Sequence, residues 1–426
     1  MKSITFKLIA MAVISITILA ACLPTASIHT AKSNKQRATN PSAPVDGVKE
    51  LVEGNNAFAL ELYNELRSEG GNLILSPYSI SLALAMTYAG ARGNTEAQMA
   101  QALHFAPQNA EHISFNALDL ALGKKPINLD PNQKPMQLNI ANALWAEQSI
   151  TFQPEFLDTL ALNYGAGVNL ADFKNKADQE RAAINNWVSD QTEDKINNLL
   201  PDDSLTSDSR MVLVNAIYFN ADWLDQFDAD STRDVPFNLL DGTQVKAPMM
   251  GQDMTIPYMT GSGYTALELP YAGDTAAMDI IVPDAGRFDE IESALTGNMF
   301  NEIVGNMNET FLVLNMPKFT FESSFSNMSD TLSSLGMTDA FNANSADFSG
   351  MTTDEKLVID SVIHKAFVAV DEKGTEAAAA TAVIMDTAGA LRQDINILID
   401  RPFIFVIRDR VNGQVLFIGR VLNPVQ

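Results

Sequence analysis

The sequence predicts an α+β fold, and three observations carry that expectation. Near the start, Leu51, Ala57, Phe58, Leu60, Leu62, Tyr63 and Leu66 recur at the spacing of an amphipathic helix beginning near Val48. Near the end, the alternating apolar runs Val358 to Val370, Phe403 to Ile407 and Val415 to Val421 read as strands. Between the first two of these strands lie roughly thirty residues, Asp371 to Arg401, where the usual connection is about 4–6. A connection that long is functional or disordered.

The chain has 426 residues, 46% of them hydrophobic and 19% charged, enough for an ample core. A formal charge of −24 argues against nucleic acid and anionic lipid surfaces as partners. Lys124, Lys125 and Lys134 form only a weak basic patch. The first 21 residues read as an address: Lys2 and Lys7 precede an apolar run from Leu8 to Ala21, too short to span a bilayer comfortably. That run ends Leu19-Ala20-Ala21-Cys22, and Cys22 is the only cysteine, so no disulfide can form within one chain. One reading is an ordinary signal-peptidase site beside a stray cysteine. The other resembles a bacterial lipobox, in which Cys22 becomes the lipidated first residue; Leu23 after it resembles the pattern for outer-membrane sorting. Loss of Lys2 and Lys7 takes the charge from −24 to −26. Residues 22–47, rich in Ser, Thr, Ala, Asn and Pro, are expected as a flexible tether. The folded domain is expected over 48–426.

Within the domain, Gly70-Gly71 ends the first helix. Asn72 to Ser81 leads into an almost wholly apolar stretch up to Gly90, the pattern of a helix buried on all sides. Ser76 or Ser79 suits its start, with Pro77 in the first turn. Leu138 to Phe152 alternates as a strand, and Phe156 to Leu162 is helical. Met211 to Phe219 is continuously apolar except for Asn215, whose amide needs partners, because leaving it unpaired costs about 1–3 kcal/mol.

The long connection runs Asp371-Glu372-Lys373-Gly374-Thr375-Glu376, then Ala377, Ala378, Ala379 and Ala380, then Thr381. Local propensity favours a short surface helix after Thr375. Read with period 2, Thr375, Ala377, Ala379, Thr381 and Val383 share one face, all small or β-branched and none charged. Such a strand fits into a crowded sheet, and Gly374 supplies a backbone pivot at its root.

The run Glu372 to Thr381 resembles the hinge of the reactive-centre loop of inhibitory serpins, and Arg401-Pro-Phe-Ile-Phe405 resembles the strand that follows that loop. The resemblance extends from Val48 to Gln426. It includes Gly90-Ala-x-Gly-x-Thr-x-x-Gln98, Asn139-x-Ala-Asn-x-Leu-Trp145, Ile184-Asn-Asn-Trp-Val188, Ala266-Leu-Glu-Leu-Pro-Tyr271, Met278 to Pro283, Met316-Pro-Lys-Phe319 and Leu335-Gly-Met337. It implies one serpin-like domain: a large central sheet, further sheets, about eight or nine helices and an exposed loop over about 372–400.

Catalytic chemistry has no motif here. The four histidines, His29, His104, His112 and His364, stand in no His-Glu-x-x-His pattern. Gly-x-Ser-x-Gly, paired cysteines and a Walker lysine are all lacking. Gly261-Ser-Gly263 reads as a turn. No catalytic residue, metal ligand or cofactor is assigned. His364 on its strand reads as a hydrogen-bonded structural histidine. The resemblance adds that His364, Ser76, Ser79 and Asn215 form a polar cluster under the middle of the main sheet, the shutter. Trp223, otherwise a core aromatic, would lie beneath the point where the loop joins the sheet.

The function implied is suicide-substrate inhibition of a protease, serine-type first and cysteine-type as an alternative. The protease forms its acyl-enzyme on the loop. The cut loop then inserts between two strands and carries the protease about 45 Å, thirteen steps of ~3.3 Å. The family's spacing from Glu372 places the cut at Ala388-Gly389, suited to a small pocket such as that of elastase-like or subtilisin-like enzymes. Cuts after Met385, Thr387 or Leu391 are alternatives. Arg392, which would draw trypsin-like enzymes, lies four residues too far. The rival reading is a non-inhibitory serpin-fold surface lipoprotein with a carrier or binding role. The expected location is outside the cytoplasm, as a monomer anchored through Cys22 to the outer membrane or cell surface, a periplasmic face being the alternative.

Overall fold

The computed structural model describes residues 28–124, 129–375 and 395–426. Two sheets form its frame. The central sheet has seven strands in the order His29–Ala31, Val168–Ala171, Gln137–Glu147, Met211–Asp222, Gly374–Thr375, Ser361–Val370 and Phe319–Phe325. A nine-stranded sheet, led by Ile395–Leu398 at one edge, carries Phe403–Asp409 and Val415–Val421 side by side. Nine α-helices pack around them among the described residues, and none of these is long and apolar enough to cross a membrane.

The central sheet has a core on each face. On one side Leu213, Ile217, Phe219 and Ala221 join Val362, Ala366, Val368 and Val370 in the main core. On the other, Val212, Val214, Ala216 and Ile363 meet helix Phe173–Gln191 and the chain after it, through Ile184, Val188, Ile196 and Leu199. Period 2 therefore divides each strand between two apolar environments. That is why Met211–Asp222 is buried along its whole length and reads as one continuous apolar run.

The first helix spans Gly47–Leu66 and buries Leu51, Phe58, Leu62 and Leu66. The buried helix spans Pro77–Tyr88 with every residue buried. Ser76 caps it by accepting from Ser79 N–H at 3.3 Å, and Pro77 occupies the first turn. The strand expected over Leu138 to Phe152 stops at Glu147, and a turn leads into helix Pro154–Tyr164. The Gly261-Ser-Gly263 turn is a hairpin corner, with Gly263 at φ +88°.

Residues 28–46 depart from the expected flexible tether. His29–Ala31 pairs antiparallel with Val168–Ala171 as an edge strand. The chain then runs over two helices. Lys35 pairs with Asp158 at 2.8 Å, Arg37 with Asp119 at 2.6 Å, and Ala38 N–H bonds Leu162 O at 2.9 Å. Composition misleads here because the docking uses backbone pairing and charged side chains, not apolar burial. Cys22 lies outside the described residues.

The loop hinge and the seam of the central sheet

The hinge enters the sheet between two neighbours. Thr375 pairs with Ala221 on one side and Val370 on the other, and Gly374 pairs with Asp222. Below this wedge the same two strands pair directly and in parallel, from Phe367 opposite Tyr218 to Ser361 opposite Val212. The seam is thus wedged by Gly374–Thr375 at one end and closed from Phe367 and Tyr218 downward. Gly374 is required by close approach: a Cβ there would lie 2.1 Å from Ala221 O and 2.6 Å from Asp222 Cα. Its φ is not among the positive ones, so the expected pivot role gives way to a packing role.

Thr375 is fully buried, and its hydroxyl lies 2.7 Å from that of Tyr271. Tyr271 stacks on Trp223 with centroids 4.5 Å apart and planes at 10°. The Trp223 indole N–H donates to Asp371 O at 3.0 Å, and its backbone N–H to Lys373 O at 2.6 Å. The Asp371 carboxylate accepts from Lys373 N–H at 2.9 Å and from Gly374 N–H at 3.3 Å. Glu372 is held by Lys318 Nζ at 2.7 Å and Thr232 Oγ1 at 2.6 Å. Partial burial pushes its carboxyl up, but the hydrogen bonds from Lys318 and Thr232 outweigh this and hold it below the usual range. Six consecutive residues, 370–375, are therefore fixed before the loop leaves the described chain at Glu376. The alanine run, Thr381, Ala388 and Gly389 lie outside the described residues, as does the helical alternative for that run.

Midway along the closed seam, Ser76, Ser79, Asn215 and His364 come together in one buried network. Ser76 N–H donates to His364 Nε2 at 3.1 Å, which leaves Nδ1 to carry the proton and donate to Asn215 Oδ1. The Asn215 amide donates to Ser79 Oγ at 2.6 Å and to Asn142 Oδ1. Ser79 Oγ bonds Asn142 Oδ1 at 3.1 Å, and Ser76 Oγ donates to Leu416 O at 2.7 Å. Burial lowers the His364 pKa to about 3, so the ring is neutral at ordinary pH. Its link to Asn215 crosses the seam, in register with the backbone pair His364 opposite Asn215. On the other face, Lys365 Nζ also reaches across, to Asn197 O at 3.2 Å, while pairing with Glu322 at 2.9 Å.

The sequence reading missed Asn142, Tyr271, Lys318 and Thr232. Asn142 was discoverable, being a second asparagine inside an apolar strand and paired opposite Asn215. The other three depend on contacts between segments far apart in the chain. No group of three or more His, Cys, Asp or Glu suited to a metal ion occurs among the described residues.

A strand that continued the register of Gly374–Thr375 down the seam would meet, at every second position, Phe219 and Val368, then Ile217 and Ala366, then Asn215 and His364. Phe219, Val368, Ile217 and Ala366 belong to the main core, so that face suits small side chains.

The sequence and the fold are similar to known proteins over nearly their whole length. A family model described as serpin (serine protease inhibitor) matches residues 53–424. An uncharacterised serpin-like protein of Thermococcus kodakarensis is 37% identical over 94% of this chain and 93% of its own. Leukocyte elastase inhibitor of Homo sapiens is 37% identical over 88% of this chain and 100% of its own. The thermophilic serpin tengpin in its native state superposes with a TM-score of 0.82 at 30% identity, over 93% of this chain and 99% of its own. With a family model spanning most of its length and relatives of that identity and coverage, this chain belongs to the serpin family.

Proposed function

We propose that the protein is a suicide-substrate inhibitor of an elastase-like or subtilisin-like serine protease, cut at Ala388-Gly389. The observation that carries this reading is the hinge. Gly374 and Thr375 are already paired inside the sheet, above a seam whose register accepts the small residues that follow. Cleavage frees the loop to continue. Residues 376–385 then gain backbone pairs worth ~0.5–1.5 kcal/mol each, plus burial of one face, a total on the order of ten kcal/mol. The Asn215–His364 link opens on the way, and Thr381 arrives between them with a hydroxyl that both donates and accepts. The protease, carried about 45 Å, loses the alignment that deacylation needs. The protein is a monomer held through lipidated Cys22 to the outer membrane or cell surface, with the loop presented to proteases arriving from outside.

The test is incubation of the purified protein with a panel of serine and cysteine proteases. An adduct that survives SDS, at the combined mass of protease and inhibitor less the released fragment, is expected with elastase-class enzymes. Complete cleavage with no adduct from any enzyme overturns the reading and leaves a non-inhibitory surface lipoprotein.

A further inference from the structure

The amino-terminal strand and the hinge lie at opposite ends of the same sheet. His29, Leu170, Ala146 and Met211 form one row across it, each paired with the next. Gly374 and Thr375 sit at the far end of Met211–Asp222, against Asp222 and Ala221. The chain before His29 therefore leaves the body at the pole opposite the hinge, where Ile28 is 39% exposed. A loop inserted in register sets Met385 beside Met211, in that same row, with Ala388 three residues beyond. A protease bonded to Ala388 arrives at this pole, four strand spacings or ~19 Å from the emerging chain.

We propose that His29–Ala31 and the segment behind it are a retractable length of tether, which undocks from the body when a surface-attached copy captures a protease. This rests on loop insertion as the mode of inhibition and on attachment at Cys22. From Cys22 to His29 the chain spans at most ~25 Å at ~3.6 Å per residue. A protease of roughly 230 residues has a radius of gyration of about 17 Å and so a diameter of about 45 Å. It does not fit between the pole and the attached surface while the strand stays docked. Undocking back to Gly47 frees residues 29–46, a further ~65 Å at the same rise.

The contacts suit release. Three residue pairs join the strand to the sheet, supported by a Thr30–Asn169 hydrogen bond at 2.9 Å that is exposed. Beyond it stand the ion pairs of Lys35 and Arg37, with lysine and both carboxylates at least 30% exposed, a class that holds weakly. Only Ala31 packs on the main core from this strand. Insertion gains about ten new residue pairs, against the three lost from the strand together with the two ion pairs and the hydrogen bonds of Ser33 with Asp158, Arg37 with Asn116, and Ala38 with Asn116 and Leu162 behind it. The segment is thus well placed to hold the inhibitor close to its surface before capture and to yield afterwards.

Cys22 is the only thiol of the chain, so maleimide lipid on vesicles attaches the protein there alone. Residues 22–426 are compared free and vesicle-coupled, before and after reaction with an elastase-class protease, by amide hydrogen exchange over residues 29–38. Exchange there is expected to rise at least tenfold in the vesicle-coupled adduct and to stay unchanged in the free adduct. Unchanged protection in the vesicle-coupled adduct overturns the proposal. Equal loss in both adducts does so too, because sheet expansion and not the surface then releases the strand. An adduct that forms in solution but not on vesicles shows that the docked strand blocks capture, and again overturns it. No adduct even in solution sinks the inhibitory reading, and this proposal with it.

Discussion

The hydroxyls of Thr375 and Tyr271 meet at 2.7 Å inside the central sheet, so the residue at the root of the loop is a strand residue before any protease arrives. The ring beneath it is fixed by stacking on Trp223, which in turn holds Asp371 and Lys373. Gly374 and Thr375 thus already hold the places that the first residues of an inserting loop would take.

Replacing Thr375 with Arg puts a cation where the side chain is fully buried. An unpaired buried charge costs several kcal/mol even after relaxation. Thr375→Arg should be cut at the same bond as the parent but give at least tenfold less SDS-stable adduct per cleavage. In a strand that continued past Thr375, Glu376 would face the opposite side, so Glu376→Arg should be much milder. Equal adduct yields from Thr375→Arg and the parent would count against insertion through this seam.

The cut itself is read by mass. An elastase-class enzyme should release a carboxy-terminal fragment that begins at Gly389. Ala388→Arg should shift inhibition toward trypsin-like enzymes by tenfold or more in rate. A fragment starting elsewhere relocates the bond, and an unchanged preference removes Ala388 as the specificity residue.

Acid should loosen the shutter. His364 is neutral in the native fold, with its pKa pushed by burial to about 3, whereas an exposed imidazole titrates near 6.5. A base whose pKa falls on folding contributes stability that is present above 6.5 and lost as pH falls toward 3. The slope is at most ~1.4 kcal/mol per pH unit in that window. His112, lowered to about 4 by burial, acts in the same direction, while Glu111, raised to about 7 by burial, opposes both between its ordinary pKa and 7. His364→Gln offers an acceptor to Ser76 N–H and a donor to Asn215 without a titrating group. Urea midpoints measured from pH 7.5 down to 4.5 should fall less steeply in that variant; parallel curves would exclude His364 as a contributor.

Membrane attachment is tested separately. Cys22→Ser should abolish lipid labelling and move the protein out of the membrane fraction, with inhibition in solution unchanged. Undiminished membrane retention of the variant would remove the lipid anchor.

How much of this was legible in the sequence follows from the kind of interaction involved. The alternation from Val358 to Val370 and the apolar run around Asn215 reveal strands because side-chain burial repeats with the backbone. The isolated polar residues Asn215 and His364 stand out for the same reason, since a buried amide or imidazole must find partners. The order of the strands, and hence the meeting of Thr375 with Tyr271 and of Glu372 with Lys318, joins positions 104 and 54 apart and leaves no local mark. The docked segment 28–46 escaped for another reason: polar composition reports how little apolar surface a segment can bury, and this one is held by charge and backbone pairing.

Thr381 offers the sharpest test of the register. If insertion follows the alignment set by Thr375, its side chain comes to lie between Asn215 and His364, whose direct bond must then be broken. A threonine hydroxyl can accept from His364 Nδ1–H and donate to Asn215 Oδ1, restoring both. Thr381→Val keeps the size and the β-branch but leaves two buried polar groups unpaired, at a cost of about 1–3 kcal/mol each. That cost falls after six residues have inserted beyond Thr375, so it should not convert the protein into a plain substrate as Thr375→Arg does. It should slow the late part of insertion and lower the stability of the finished product. The parent should gain heat resistance on cleavage, because the seam fills; cleaved Thr381→Val should melt several °C below the cleaved parent, with the uncleaved proteins melting alike. Moving the valine to Ala379, which the register sets between Ile217 and Ala366, unpairs no polar group and should leave out this penalty. Identical melting of cleaved Thr381→Val and the cleaved parent would mean that the loop enters in another register or does not enter at all.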